Sequence, residues 1–377
     1  MALVAAGRLV ELRVARRDRP SLADAIFLGR LERVMPELDA AFVDIGIGQS
    51  GFLRAEDRAG VEGWPPLGAP VLVQVRAEGE GEKGPRLSMN VAVSGRYLVY
   101  HPLGNGVGFS RRIEGEAERE RLAGHVGALL EGGVVVRTAA AGASPALLQA
   151  DAADILERWE AIRRQAFDAP PPSDLTARLP AECDPIARAM RDCAGLEEVI
   201  IDDRGRARAL QDEMDHRQEP IRVRWHHGPM PVLDIDDIAG QIDTALASRI
   251  ALDSGVEILF EPGETLCAID VNSGTAGGRQ GRGPRRPVEV NLEAVPAIAE
   301  QLRLRNLCGA LVIDFITMRS AYDRDKVQAA LAEALADDPV PTQLYGFTRL
   351  GHFELTRARR GATLSRRLES LERGDAH

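Results

Sequence analysis

Lysine is nearly absent from this 377-residue chain: of its 47 basic residues only Lys83 and Lys326 are not arginine. Arginine's planar fork suits phosphate, but a GC-rich coding bias produces the same composition with no function attached. Positive charge is not in excess either. Acidic residues outnumber basic ones by 57 to 47, a net charge of −10, so no global basic field marks a polyanion partner, and one would have to be held by a local patch. Cysteine is sparse. Cys183, Cys193, Cys267 and Cys308 lie far apart, with no CxxC pair and no histidine pair at zinc spacing, which argues against a disulfide framework and a local zinc knuckle. No apolar run reaches the ~18 residues that span a bilayer, and the opening Met1-Ala2-Leu3-Val4-Ala5-Ala6 is too short and wrongly flanked for a secretory signal. No membrane partner is expected, and the expected compartment is the cytoplasm, with free thiols.

The apolar share, 45%, is ample for packed cores in about two to three domains. Apolar and charged residues alternate from Leu9 to Val14, as in a half-buried strand. Short β-like runs then follow one another at 26–34, 40–44, 51–53, 71–75 and 87–93, broken by turn chemistry at Pro36, Gly46-Ile47-Gly48, 60–66 and 78–85. Five short strands in so few residues predict a small β-barrel of the OB type, a fold whose open face commonly binds single strands. The next segment reads as helix 116–131, strand 134–136 and helix 146–164. Pro170-Pro171-Pro172 reads as a linker. Beyond it the pattern predicts helix 184–193, strand 199–201, an Asp-Gly type turn at Asp203–Gly205 and helix 235–252. From Glu257 onward strands and helices alternate, which favours a mainly parallel α/β layer.

Two apolar runs, each interrupted by one aspartate, carry the most information: 266–274 with Asp270 and Asn272, and 310–316 with Asp314. Strand periodicity places Asp270 and Asn272 on one face, about 6 to 7 Å apart. The intervening segment 292–308 has helical spacing and stops at Gly309. A strand–helix–strand unit of that length makes the two strands parallel and brings both aspartates to one sheet edge, where ligands of open α/β sheets bind. Two carboxylates and an amide oxygen are hard donors suited to Mg2+ or Mn2+. The alternative reading is that an Asp at a strand end caps a turn or the next helix. Arg279, Arg282, Arg285 and Arg286 form a basic loop, suited to a polyanion backbone or simply solvated. Phe42 and Phe52 can stack on bases or fill a core, and Arg111-Arg112 and Arg137-Thr138 can grip phosphate or be ordinary surface charge.

Taken in order, these pieces resemble the catalytic half of the ribonuclease E/G family. The resemblance rests on Ala40-Ala41-Phe42-Val43-Asp44-Ile45-Gly46 with Gly51-Phe52-Leu53, on Gly95-Arg96-Tyr97-Leu98-Val99, on Phe109-Ser110-Arg111-Arg112-Ile113-Glu114-Gly115 and on Val136-Arg137-Thr138-Ala139. It continues through Ala268-Ile269-Asp270-Val271-Asn272-Ser273-Gly274, Asn291-Leu292-Glu293-Ala294, Gln301-Leu302-Arg303-Leu304-Arg305 and Val312-Ile313-Asp314-Phe315-Ile316. No single motif would suffice, but they are collinear over roughly Phe27 to Arg360.

The resemblance implies an α+β multidomain protein. A ribonuclease H-like subdomain would be split between 1–20 and 176–245, with an inserted OB-fold RNA-binding domain at 21–95. A 5′-phosphate sensor region would span 96–175 and an α/β deoxyribonuclease I-like catalytic subdomain 246–377. It implies a single-strand-specific endoribonuclease of RNA processing or decay, acting on ribosomal precursors or messengers, with a non-catalytic RNA-binding protein on the same fold as the alternative. Asp270, Asn272 and Asp314 would be catalytic, with Asp270 and Asp314 holding Mg2+ and Mn2+ as a substitute. Phe42, Phe52, Lys83, Arg111 and Arg112 would contact single-stranded RNA. Arg137 and Thr138 would hold a 5′-monophosphate, with Gly95 and Val99 shaping the pocket, and a triphosphate would be too bulky for it. Where the family commonly carries a CPxC motif that shares zinc across a dimer, residues 364–377 contain no cysteine. Neither structural zinc nor a zinc-linked tetramer is expected, and monomer versus dimer stays open. Pro296 is expected to delay or bend the crossover helix.

Overall fold

The computed structural model describes every residue except 15–21, 61–62, 80–82, 169–176, 180–184, 194, 218, 264, 275–284, 337, 339, 360 and 373–377. The expected linker at Pro170-Pro171-Pro172, Cys183, Arg279 and Arg282 fall outside the described residues. The chain forms two compact units, one of Met1–Val14 with Leu233–His377 and one of Ala15–Val232. Among the described residues no helix is long and apolar enough to cross a membrane.

An antiparallel hairpin, β1 (Ala2–Ala5) and β2 (Arg8–Leu12), opens the chain. In the second unit, β3 (Ile26–Met35), β4 (Ala40–Asp44), β5 (Gly51–Arg54), β6 (Pro70–Ala77) and β7 (Arg86–Ser88) close into a barrel in the order β3-β4-β5-β7-β6, sealed by β6 pairing back onto β3. Alternation drives closure: Ala41, Val43, Leu53, Val73, Val75 and Leu87 are buried inside, while the residues between them face out. A closed five-stranded barrel is what the OB-type spacing predicted. The run 87–93 is not one strand, however. The backbone turns away at Met89, whose N–H donates to the Asp57 carbonyl at 2.8 Å, and β8 (Val93–Ser94) joins a different sheet.

That sheet has the order β10-β11-β9-β8, with β9 (Leu98–His101), β10 (Gly106–Phe109) and β11 (Gly133–Val136), and α1 (Glu116–Val126) and α2 (Pro145–Arg163) contribute to its core. The α1 helix ends at Val126, short of the predicted Glu131. Next come β12 (Ala177–Arg178), paired with β3, then α3 (Pro185–Asp192), and a two-stranded parallel ribbon of β13 (Glu198–Ile201) and β14 (Arg222–Trp225) joined through α4 (Arg204–Arg217). The expected turn at Asp203 is instead the start of α4, because the Asp203 carboxylate accepts the Arg206 N–H at 2.9 Å and satisfies an orphan helix donor.

In the other unit the predicted helix 235–252 is only α5 (Ile238–Leu246). Asp236 and Asp237 have φ of 55° and 52°, which keeps the helix from starting earlier, and Ala247 is extended before β15 (Arg249–Ala251). A six-stranded sheet then runs β15-β16-β17-β18-β20-β19, with β16 (Glu257–Pro262), β17 (Leu266–Asn272), β18 (Gly309–Asp314), β19 (Thr342–Phe347) and β20 (Phe353–Arg357). The expected mainly parallel layer is corrected here: only β17–β18 is parallel, and the other four pairings are antiparallel. Short links between β16 and β17 and between β19 and β20 allow only antiparallel hairpins. The one parallel pair is the one bridged by a helix.

That helix is α6 (Pro287–Leu304), followed after β18 by α7 (Ala321–Ala334), and near the chain's end by α8 (Leu364–Glu372). Val290, Ala294, Ile298 and Leu302 recur every four residues along α6 and are all buried against the sheet; each of the larger ones contributes about 1.5 to 3 kcal/mol. The helix opens with Pro287 in its first turn and the Glu289 carboxylate accepting the Arg286 N–H. It closes on a left-handed Asn306 (φ 51°), with the Leu307 N–H donating to Leu302 and the Asn306 N–H to Arg303, the paired hydrogen bonds of a Schellman end. Pro296 neither delays nor interrupts α6. It is exposed, so the carbonyl four residues earlier that it leaves without a donor shares its outward side.

Candidate active site and nucleic-acid interface

The parallel register of β17 and β18 pairs Asp270 directly with Asp314. Neighbouring strands lie about 4.8 Å apart, so the two carboxylates occupy adjacent places at one end of the sheet. Their chain neighbours Ile269, Val271, Ile313 and Phe315 are buried on the opposite face, which leaves the aspartates on the accessible one. Asn272 lies two residues along the same face and its amide donates to Asp270 Oδ2 at 2.6 Å. The structure thus brings Asp270, Asn272 and Asp314 together, as the strand–helix–strand reading expects.

Asn291 on α6 fixes the chain just past Asp314. It is fully buried, and its amide both donates to the Ile316 carbonyl (2.8 Å) and accepts the Ile316 N–H (3.0 Å). Arg285 pairs with Glu293; burial pushes Glu293 up, but hydrogen bonds from Arg285 and Ser254 outweigh it and hold the carboxyl below its ordinary value. Arg286 is 3.7 Å from Asp323. The described half of the basic loop is therefore already engaged with carboxylates.

Every donor in the Asp270, Asn272 and Asp314 set can offer oxygen, and the chemistry of the set fits a hard divalent cation. Among the described residues no three His, Cys, Asp or Glu side chains converge as a closed metal cage. The acidic pair is an open arrangement, the kind in which Mg2+ retains waters and meets a phosphate.

On the barrel, register aligns a second set across four strands. Arg33 of β3 pairs with Phe42 of β4, Phe42 with Phe52 of β5, and Phe52 with Arg86 of β7. The rings of Phe42 and Phe52 meet edge to face with centroids 5.6 Å apart, and the Arg33 guanidinium lies 4.9 Å from the Phe42 centroid. Both rings are half-buried on the outer face rather than part of the core. They line a groove of about 600 Å3 together with Lys83, Arg86, Glu32 and Ser50. Lys83 thus joins the two phenylalanines, and Arg33 and Arg86 are additions that sequence reasoning passed over; their signal is the two-residue strand spacing once the pairing is known.

A third set surrounds Arg137. Its guanidinium donates to the Gly95 carbonyl (2.8 Å) and to Asp192 (3.1 Å). Thr138 shares a hydrogen bond with Ser110 at 2.8 Å. Val99 is half-buried on β9, opposite Val135 and Ser94. Arg111 and Arg112 are exposed in the turn after β10. The loop carrying Gly95 is built around Asp151 of α2, a residue with no sequence signature. Its buried carboxylate accepts the N–H groups of Arg96, Tyr97 and Leu98 at 2.8 to 2.9 Å. Burial raises its pKa, against the pull of those donors. A side chain at position 95 would run into it, since a Cβ there would lie 2.3 Å from Asp151 Oδ2. Next door, Tyr97 donates to Glu219 (3.0 Å), and burial together with that carboxylate lifts its phenol to about 12.

The Ribonuclease E/G family profile matches residues 92–360. Ribonuclease G of Haemophilus influenzae is 34% identical to the chain over 385 residues, covering 95% of this chain and 77% of that protein. Ribonuclease G of Escherichia coli K12 is 34% identical with the same two coverages. Ribonuclease E of Nostoc sp. is 36% identical over 359 residues, covering 90% of this chain and 51% of that protein.

Proposed function

Because the chain belongs to the ribonuclease E/G family and is an endoribonuclease, a hydrolase acting on RNA, we propose that it cuts single-stranded RNA in processing or decay, using Mg2+ held by Asp270 and Asp314, and that a 5′-monophosphate stimulates cleavage. The observation that carries this reading is the direct pairing of Asp270 with Asp314 across β17 and β18. When bound, such a cation supplies Lewis acidity toward phosphate oxygens and acidifies water. Asp270 and Asp314 are its carboxylate ligands, and Asn272 orients Asp270. Asn291 keeps Asp314 in place by clamping Ile316. Water adds to phosphorus, the bond to the 3′-oxygen breaks, and that oxygen takes a proton, leaving a 5′-phosphate and a 3′-hydroxyl.

The barrel row supports single-strand binding: Phe42 and Phe52 offer stacking surfaces, and Lys83 and Arg111-Arg112 offer charge to the backbone. Arg137 and Thr138 provide a fork and a hydroxyl for the oxygens of a terminal phosphate, with Gly95 and Val99 as walls. On this reading the barrel is an OB-fold, residues 96–175 are the sensor region, the segments 1–20 and 176–245 form the ribonuclease H-like part and 246–377 the deoxyribonuclease I-like part. The protein works in the cytoplasm.

The test uses the full chain and a 5′-monophosphorylated single-stranded oligonucleotide with Mg2+. Asp314→Asn and Asp270→Asn should leave RNA binding within about twofold while lowering cleavage by about a hundredfold or more, several kcal/mol of lost charge stabilisation. Full activity in either variant refutes the metal assignment.

A further inference from the structure

The row that contains Asp270 and Asp314 continues onto a third strand. In the β18–β20 ladder Ile313 pairs with Phe353, so the next position along, His352, stands opposite Asp314. Its Nδ1 lies 3.2 Å from Asp314 Oδ1. His352 ends the turn between β19 and β20, and the turn is firmly built. The Thr348 N–H donates to the His352 carbonyl at 2.8 Å and the Gly351 N–H to the Thr348 carbonyl at 3.1 Å. Gly351 has φ of +97°, a conformation that other residues resist. Beneath it, Phe315, Phe347 and Phe353 form a cluster with centroid separations of 5.1 to 6.2 Å, and Phe353 is fully buried. The imidazole is thus held by its backbone and not merely resting on the surface.

We propose that His352 is a positioning residue for Asp314: its Nδ1–H donates to Oδ1, fixes the rotation of the carboxylate, and leaves Oδ2 as the oxygen offered to a divalent cation. The proposal rests on the reading of Asp314 as a metal ligand. The carboxylate itself selects the tautomer, because an Nδ1 lone pair at that distance would face the lone pairs of Oδ1. A carboxylate held by one hydrogen bond enters the metal site already oriented, and losing such an outer partner typically costs 10- to 100-fold in metal affinity. No motif used in reading the sequence includes His352, since its role exists only through the pairing of β20 with β18.

Metal binding can be measured without cleavage, by titrating the metal-free full chain with Mn2+ and following free Mn2+ by electron paramagnetic resonance. Asp314→Asn should weaken Mn2+ binding by tenfold or more, which tests the ligand reading. His352→Leu should weaken it by about 10- to 100-fold. His352→Asn, whose amide nitrogen takes the place of Nδ1, should restore affinity to within about threefold of the wild type. Wild-type affinity in His352→Leu, alongside a weakened Asp314→Asn, overturns the positioning role and leaves the ligand reading standing. Equal weakness in His352→Asn and His352→Leu also overturns it. Wild-type affinity in Asp314→Asn sinks the ligand reading and the proposal with it.

Discussion

Asp270 and Asp314 face each other across the one parallel pairing in a sheet that is otherwise antiparallel. The crossover helix α6 makes that pairing possible, and one of its buried residues, Asn291, holds the strand end that carries Asp314. Scaffold and site are therefore the same piece of structure.

Replacing Asn291 with alanine should show this coupling. Both the N–H and the carbonyl of Ile316 would lose their partner in a buried place, at a cost of about 1 to 3 kcal/mol for each group left unsatisfied. The expected outcome is a lower melting temperature and a loss of cleavage at temperatures where circular dichroism still reports a folded protein. Unchanged activity below the melting transition would mean that Asp314 keeps its place without the clamp.

The barrel groove predicts a pure binding defect. Phe52→Ala removes one of two outward rings, and a stacked base is worth about 1 to 3 kcal/mol, so fluorescence anisotropy with a single-stranded oligonucleotide should show binding about 5- to 150-fold weaker. Thermal stability should barely change, because Phe52 lies outside the barrel core. By contrast, Leu53→Ala, one residue along and fully buried, should destabilise the barrel by about 2 to 5 kcal/mol.

Arg137 predicts a change in preference. The wild-type protein should cleave a 5′-monophosphorylated substrate faster than its 5′-hydroxyl counterpart, and Arg137→Ala should remove the difference while leaving the 5′-hydroxyl rate near its original value. Equal wild-type rates on the two substrates would show that the contacts to Gly95 and Asp192 serve structure alone.

Tyr97 gives the loop beside Gly95 a signature in alkali. Its phenol is raised from the ordinary 10 to about 12 by burial and by Glu219. The stability it contributes is fully present below pH 10 and is lost as the pH climbs through about 12. Ultraviolet titration of tyrosinate should show one of the four tyrosines ionising last, near pH 12, and Tyr97→Phe should remove that step. A titration in which all four ionise together near pH 10 would contradict the buried contact with Glu219.

Much of this was legible in the chain. Five short β-like runs between 26 and 93, separated by turn residues, announced the barrel, and the two aspartate-bearing apolar runs with a helix between them announced a parallel pair. Periodicity failed where long-range pairing overrode it. The segment 235–252 has enough apolar residues for one helix, yet the edge of the sheet claims Arg249–Ala251 as a strand. Pro296 reads as an interruption until its outward placement on α6 is seen.

The sequence by itself determined which residue types share a face, because that depends only on the repeat of a strand or helix. Tertiary structure alone decided which faces meet: that Phe42 lies between Arg33 and Phe52, that Asp151 shapes the Gly95 loop, and that His352 reaches Asp314 from 38 residues away. Such partners are chosen by sheet register, and register is set by the packing of whole strands against their cores, a property no local stretch of sequence carries.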